Sequence, residues 1–390
     1  MAESMEEQLL ENGENRKWII TETYYEELKK LSYIAAPMVA VSVLQYLLQV
    51  VSMMMVGHLD QISLSSVSIA TSITNVTGFS LLSGLVGGLE TLSGQAYGSN
   101  QWQKVGTYTY SAVISLIIVC IPISILWLFM DKLLILMGQD PVISVEAYKF
   151  SLWLTPALFG SAILRPLLRY LLIQSLILPM LVSAFLSLCL HISLSWFFIF
   201  HLRLGKSGAA IAFCFSTWTF VALLVVYISR SNSCERTRTP LNRDAFLAIG
   251  KFFRYAIPSA LMVCFDSFIF ICFCAMEIIT ALNGGHLRCS LCYLDFYQIQ
   301  NLKHQYYQYG VARGSGWQII GAYVNLGAFY LVGIPVAAVL CFLVNLKAKG
   351  LWIGLLAGSA IQAISLSLIL VFTDWQKQAI KAKKRISERR

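Results

Sequence analysis

Two acidic side chains stand within or beside long apolar stretches of this chain. Asp266 follows Pro258 by eight residues, about two helical turns into an apolar segment, and Glu90 directly follows another uncharged run. An ionisable group is costly to bury in a membrane, so such a residue is a candidate functional site. A carboxyl group removed from water favours its neutral form and can bind and release a proton. For Asp266 we weigh proton or cation coupling against a carboxylate that merely tolerates nearby water. For Glu90 we weigh gating or cation attraction against a plain interfacial charge at a helix end.

Four polar amides interrupt the uncharged runs and form a second group of candidate residues. An amide inside a bilayer most often finds its hydrogen-bond partner on a neighbouring helix. The second possibility is that the amide lines a polar cavity that holds a solute. Both roles stay open for the four possible cavity-lining residues: Gln45, Gln49, Asn75 and Asn325.

Metal, catalytic and nucleic-acid sites are not expected from the remaining residue types. Cys289 and Cys292 form a C-x-x-C pair near His286, but a zinc site needs four ligands with definite spacing. The sequence shows neither a nucleophile elbow nor a phosphate-binding loop, so it does not indicate an enzyme. The net charge of +9 is carried mainly by short loops and the C-terminal tail. That distribution is typical of the cytoplasmic face of a membrane protein, and it argues against nucleic-acid binding.

Long uncharged stretches are the elements that must position these residues. Hydrophobic residues make up 57% of the chain and charged residues 13%, where a soluble domain has about 25% charged residues. About 20 apolar residues cross a bilayer core, and lipid forces their backbone to be helical. A shorter run at 150–164 can also span if its flanking Lys149 and Arg165 snorkel. The seven long runs without Asp, Glu, Lys or Arg are 31–59, 61–89, 105–130, 170–202, 207–229, 314–346 and 350–373.

Basic residues predict the orientation and the domain organisation. With the N-terminus placed in the cytoplasm, 13 basic residues of the first 254 fall inside and 4 fall outside. We predict a cytoplasmic N-terminal tail (1–30), a first lobe of six transmembrane helices (31–230) and a basic cytoplasmic linker (231–254). A partial second lobe (255–373) with a disrupted segment at 278–309 and a basic cytoplasmic tail (374–390) complete the chain.

Two pairs of similar patterns indicate an internal repeat with a shortened second copy. The first pair consists of two segments, each of which begins at a lysine and ends at a proline, Pro37 in one and Pro258 in the other. Both prolines are expected early in an apolar helix, where proline is tolerated. We predict helix bending at these two prolines. The second pair begins at Arg169 and Arg313. The first pair is 221 residues apart and the second 144, so the second copy is shorter by 77 residues, which is about three helices' worth of chain.

Several long motifs resemble those of plant multidrug and toxic compound extrusion (MATE) transporters. The strings SITNVTGFS at 72–80 and ETLSGQAYG at 90–98 are similar to that family's second helix, and QSLILP at 174–179 to the start of its fifth. The strings GVARGSGWQ at 310–318 and GAYVNL at 321–326 are similar to its tenth–eleventh loop and eleventh helix. Ser93 and Ser315 stand where the family usually has cysteine.

This resemblance implies an all-α polytopic membrane protein with a MATE-like two-lobed helical bundle. The first lobe is expected to be complete, with six helices, and the second incomplete, with about two to three. The family are secondary active antiporters that export organic cations, secondary metabolites or xenobiotics in exchange for protons or sodium ions, which makes Asp266 the coupling carboxylate. The family's second carboxylate falls at Leu302. The alternative is therefore a transport-inactive truncated isoform, a pseudogene product or an incomplete gene model.

The same resemblance sets the expected partners and location. No cofactor is expected apart from the coupling ion, a proton or a sodium ion. The expected partners are small organic solutes and the lipid bilayer, without nucleic acid. We expect a monomer in the plasma membrane or the vacuolar membrane.

Overall fold

The structure, a computed structural model, describes residues 36–264, 317–346, 348–374 and 377. Asp266, the C-x-x-C pair, the segment 278–309 and the tails at 1–30 and 378–390 lie outside the described residues. Every regular element in the described part of the chain is helical. Eight of these helices are long and apolar enough to cross a membrane. The predicted all-helical membrane fold is confirmed.

The first lobe contains six candidate membrane spans, as predicted. The six spans are α1 Ala36–Gly57, α2 Gln61–Gly98, α3 Trp102–Leu128, α5 Pro141–Ile173, α6 Ile177–His201 and α7 Gly205–Arg230. A short helix α4, Met130–Leu136, follows α3. Helix α5 lies at the centre of the lobe and packs against α2, α3 and α7, while α6 packs against α7.

Two aspartates begin helices of this lobe. Asp60 accepts a hydrogen bond from the Ser63 amide at 3.0 Å, and Asp140 accepts one from the Val142 amide at 2.7 Å. These are N-cap contacts, and Pro141 fits the first helical position after the second cap. Hydrogen bonding to Ser63 also holds the pKa of the Asp60 carboxyl below its usual value. Because α5 starts at this cap, the span predicted at 150–164 was too short.

The second lobe has fewer helices in the described part of the chain. A short helix α8, Arg243–Leu247, leads into α9 at 249–264. Helix α10, Gln318–Leu343, contains two π-helical stretches, and α11, Ala348–Val371, packs back against it. A Cβ at Gly354 would lie 2.6 Å from the Cα of Ala337, so the absence of a side chain lets the two helices touch.

Two positional predictions were wrong. Pro258 lies in the interior of its helix, because α9 already begins at 249 and buries Phe252 ahead of the proline. The proline cannot donate to the carbonyl of Arg254, so bending at Pro258 stays a prediction, now for the interior of the helix. Glu90 is not at a helix end, because α2 continues for eight further residues to Gly98. Pro37 lies in the first described turn of α1.

The two lobes meet along a stripe of small residues. Gly84 and Gly88 of α2 face Ala260 and Ala256 of α9. A Cβ at Gly84 would lie 2.6 Å from the Ala260 Cα, and a Cβ at Gly88 would lie 2.6 Å from the Ala256 nitrogen. Small residues four apart let helix backbones approach closely within a membrane. The packing of α2 on α9 therefore depends on the two glycines.

Buried amides extend this junction into the second lobe. Gln318 of α10 donates to the Thr91 hydroxyl of α2 at 2.5 Å. Asn325 donates to the Met262 carbonyl of α9 at 2.8 Å and accepts from Gln362 of α11 at 3.4 Å. Asn325 thus makes helix–helix hydrogen bonds, the first of the two roles considered for it. Through these contacts α9, α10 and α11 are joined to one another and to α2.

Candidate solute cavity in the first lobe

A cavity of about 170 Å³ lies between helices of the first lobe, and three of the predicted amides are on its wall. Gln45 and Gln49 come from α1 and Asn75 from α2. Gln49 donates to the Asn75 side-chain oxygen at 3.1 Å. The buried Nε2 of Gln45 has no acceptor in the part of the chain that the structure describes. The cavity therefore presents amide groups that a bound solute can pair with.

A π-helical turn places part of this wall. The turn, Asn75–Phe79, interrupts α2, and both of its end residues line the cavity. Trp127 of α3 donates to the Thr77 hydroxyl at 3.1 Å, and its ring lies 2.6 Å from where a Cβ of Gly78 would be. π turns are rare and frequently occur at functional sites. Gly78 and Trp127 therefore position a segment of the cavity wall without lining it.

Two arginines give the cavity a basic side. Arg165 and Arg169 are four residues apart on α5, and both line the cavity. The Arg169 Nε pairs with the Glu90 Oε1 at 2.8 Å, with the arginine side chain 14% and the glutamate side chain 15% exposed. Among the described residues that line the cavity, none carries a carboxylate. Glu90 does not line the cavity itself, but it partly neutralises the charge of Arg169, which does.

Aromatic rings cover another side of the cavity. Phe79 and Phe213 line it, with ring centroids 6.3 Å apart in an edge-to-face arrangement. His191 of α6 packs edge-on against Phe213 at 6.1 Å. The same imidazole is within hydrogen-bonding distance of Ser52 of α1 at 3.0 Å and Ser216 of α7 at 3.1 Å. This buried histidine joins three helices behind the aromatic wall.

Two further sequence-predicted residues are not among the described residues that line this cavity. Asn325 belongs to the second-lobe network and does not line this cavity. Asp266 lies outside the described residues. Sequence reasoning missed Arg165 and Arg169 as cavity residues, because cations near a span end are usually expected to snorkel. Their spacing of four residues, which places both on one helix face, was the available signal.

We expect Arg169→Gln to lower the midpoint of thermal unfolding in detergent, because Glu90 would keep a largely buried charge without its guanidinium. Removing one partner of a buried ion pair costs about 3–5 kcal/mol, whereas replacing both costs much less. The double variant Glu90→Gln/Arg169→Gln should therefore recover most of the lost stability. Arg230→Gln, at the exposed end of α7, is the matched control. Additive losses in the double variant would show that the pair is not coupled.

Comparisons with known proteins connect this architecture to one family. The family model MatE matches residues 37–197. Protein DETOXIFICATION 12 of Arabidopsis thaliana is 38% identical, with 99% of this chain and 98% of the relative covered. Protein DETOXIFICATION 8 of the same plant is also 38% identical, with 94% and 93% covered.

Solved structures show the same similarity. The crystal structure of the eukaryotic MATE transporter AtDTX14 superposes with a TM-score of 0.80 at 39% identity, over 93% of this chain and 99% of that one. A MOP superfamily transporter from Pyrococcus furiosus shares the fold at 16% identity, with a TM-score of 0.68 over 90% and 95% of the two chains.

The alignment also confirms the predicted missing segment. It extends over 473 positions with DETOXIFICATION 12, whereas this chain has 390 residues, so at least 83 positions face a gap. The repeat offsets predicted a deficit of 77 residues in the second half. Among the described residues, the first lobe has six candidate membrane spans and the second has two, in line with a shortened second lobe.

Proposed function

Because this chain belongs to the MATE family of membrane efflux transporters, which are not enzymes, we propose that it exports amphipathic organic solutes in exchange for protons. The observation that carries the proposal is the first-lobe cavity, where amide, basic and aromatic side chains meet between membrane helices. Pockets for small organic molecules combine apolar walls with a few placed polar groups in this way. We place this activity in the plasma membrane or the vacuolar membrane.

The lining of the cavity favours one part of the substrate range. Arg165 and Arg169 favour a carboxylate or phenolate on the solute, and the Gln45 amide favours a carbonyl or other acceptor. Phe79 and Phe213 favour an aromatic body. We therefore propose aromatic secondary metabolites or xenobiotics that bear an acidic or acceptor group, in preference to organic cations.

A second candidate is a transport-inactive form of such a transporter. It is favoured by the gap of at least 83 positions in the alignment and by Leu302, where the sequence resemblance places the family's second carboxylate. Coupling through Asp266 alone would have to supply the proton step in the first candidate. The two candidates differ in whether the chain moves solute at all.

Expression in an efflux-deficient bacterium separates these candidates. The exporter should raise tolerance to the aromatic acid nalidixate more than tolerance to the aromatic cation ethidium, because the cavity wall is basic. The variant Gln45→Leu/Asn75→Leu should lose the effect, and Gln61→Leu, at an exposed glutamine that begins α2, should keep it. No tolerance to either compound from a chain present in the membrane at normal levels would establish the transport-inactive form.

A further inference from the structure

A second cavity, of about 310 Å³, lies where the end of α2 and the start of α3 meet the helices α8 and α9. It shares no lining residue with the solute cavity. Lys104 comes from the first lobe and Lys251 from the first turn of α9, so the cavity bridges the junction of the two lobes. Gln95, Gln101 and Tyr255 add further polar groups to its wall.

The side chains of this second cavity supply more donors than acceptors. Two ammonium groups face one carboxylate, that of Asp244, which already lies 3.5 Å from the Asn242 amide nitrogen. The Nε2 of Gln95 is buried and has no acceptor among the described residues. A buried donor without a partner is unfavourable, so the cavity suits an anion with several oxygen atoms. A phosphate group has that chemistry.

The surroundings place this cavity at a membrane surface. Three large apolar side chains on and before α8 are unusually exposed: Leu241 at 57%, Phe246 at 55% and Leu247 at 78%. They lie within the basic linker, which the charge distribution predicts to be cytoplasmic. Apolar side chains next to basic ones are typical of a surface that contacts an anionic leaflet.

Contacts with helices of the first lobe fix the position of the linker. The Ser111 hydroxyl of α3 donates to the Ala245 carbonyl, and Tyr170 of α5 is 2.6 Å from the Thr237 hydroxyl. A Cβ at Gly106 would lie 2.5 Å from the Thr237 carbonyl oxygen, so α3 and the linker touch directly. The apolar residues therefore keep a fixed position beside the cavity.

We propose that this cavity binds the phosphate headgroup of an anionic phospholipid from the cytoplasmic leaflet. Lys104 and Lys251 pair with the phosphate, Gln95 donates to one of its oxygens, and the acyl chains lie against Phe246 and Leu247. The lipid would join the first lobe to the first helix of the second. This binding does not depend on the proposed transport activity.

The test is a titration of the purified full chain with phosphatidylinositol 4-phosphate in detergent, followed by native mass spectrometry. Two lysines near a headgroup should change the affinity by about tenfold or more. We expect Lys104→Gln/Lys251→Gln to bind the lipid at least about tenfold more weakly, while Lys104→Arg/Lys251→Arg retains binding and shows that the site is folded. Lys132→Gln/Lys149→Gln, which removes two cations on the opposite side of the membrane, is the charge-matched control.

Two outcomes would overturn the proposal. Equal affinity of the Lys104→Gln/Lys251→Gln variant and the unmodified chain would remove the cavity from lipid binding. Displacement of the lipid by equimolar glycerophosphoinositol 4-phosphate, which has the same headgroup without acyl chains, would identify a free phosphate compound as the occupant. Retention of the lipid under that competition is the result that supports a membrane source.

Discussion

Replacing Gly88 with leucine is expected to remove most of the folded chain from the membrane fraction. A Cβ at this position would lie 2.6 Å from the nitrogen and 2.8 Å from the Cα of Ala256, and both are backbone atoms that cannot rotate away. Overpacking a tight interface costs about 1–3 kcal/mol even where side chains can adjust. Here the whole helix α9 would have to move, so the loss of stability should lie at the upper end of that range or exceed it.

Gly94→Leu is the matched control on the same helix. Gly94 has no heavy atom within 4 Å of its Cβ position, so a leucine there should leave the yield unchanged. Size-exclusion chromatography of a fluorescent fusion in detergent measures the amount of folded chain for both variants. Equal monodisperse peaks for Gly88→Leu and Gly94→Leu would show that the lobes do not pack along this stripe.

Asp266→Asn is expected to abolish solute exchange driven by a pH gradient. Asparagine keeps the size of the side chain but cannot bind and release a proton, so the gradient would have no group to act on. Proteoliposomes with an imposed pH gradient measure this directly. Asp131→Asn, on the short helix α4 of the first lobe, should leave the exchange intact.

Solute-for-solute counterflow without a gradient distinguishes lost coupling from lost folding. We expect Asp266→Asn to retain counterflow, because solute-for-solute exchange without a gradient needs no net movement of protons through this carboxyl group. Undiminished gradient-driven exchange in the variant would remove Asp266 from the mechanism. Loss of both activities would show that the residue is needed for the structure and not for coupling.

The spans of the first lobe could be predicted because lipid imposes a simple rule on sequence. A backbone that cannot hydrogen-bond to water must be helical, and a long uncharged run is visible without knowledge of its neighbours. The rule failed for α5, where the helix begins at the cap of Asp140 and continues past the half-buried Arg165, so that it extends beyond the uncharged run. Where a charge is compensated by tertiary contacts, hydropathy alone underestimates the span.

Only part of the cavity lining could be predicted from the sequence, for a related reason. Gln45, Gln49 and Asn75 were visible as amides in apolar runs, and a position within lipid leaves such groups few roles. The basic wall was not predicted, because the pairing of Arg169 with Glu90 joins helices that are distant in sequence. The π turn at Asn75 lies where Trp127 of α3 packs against Gly78, which is also a contact between helices.

The helix boundaries at the junction of the two lobes were also only partly predictable from the sequence. The similarity of the segments ending at Pro37 and Pro258 predicted two related helices, but it placed both prolines early. In the structure, α9 begins at 249, because burial of Phe252 and Ala256 at the junction favours helix ahead of the proline. A repeat in the sequence predicts which segments correspond, whereas the interface decides where each helix starts.

Equilibrium binding of fluorescein, a fluorescent aromatic carboxylate, to the purified chain tests whether solute is held in the first-lobe cavity. We expect Arg165→Gln and Phe213→Ala each to weaken binding by about tenfold or more, since each removes a contact worth at least about 1.4 kcal/mol. Arg230→Gln, away from the cavity, should bind as the unmodified chain does. Unchanged affinity in both cavity variants, with the dye still bound, would show that solute binds outside this cavity.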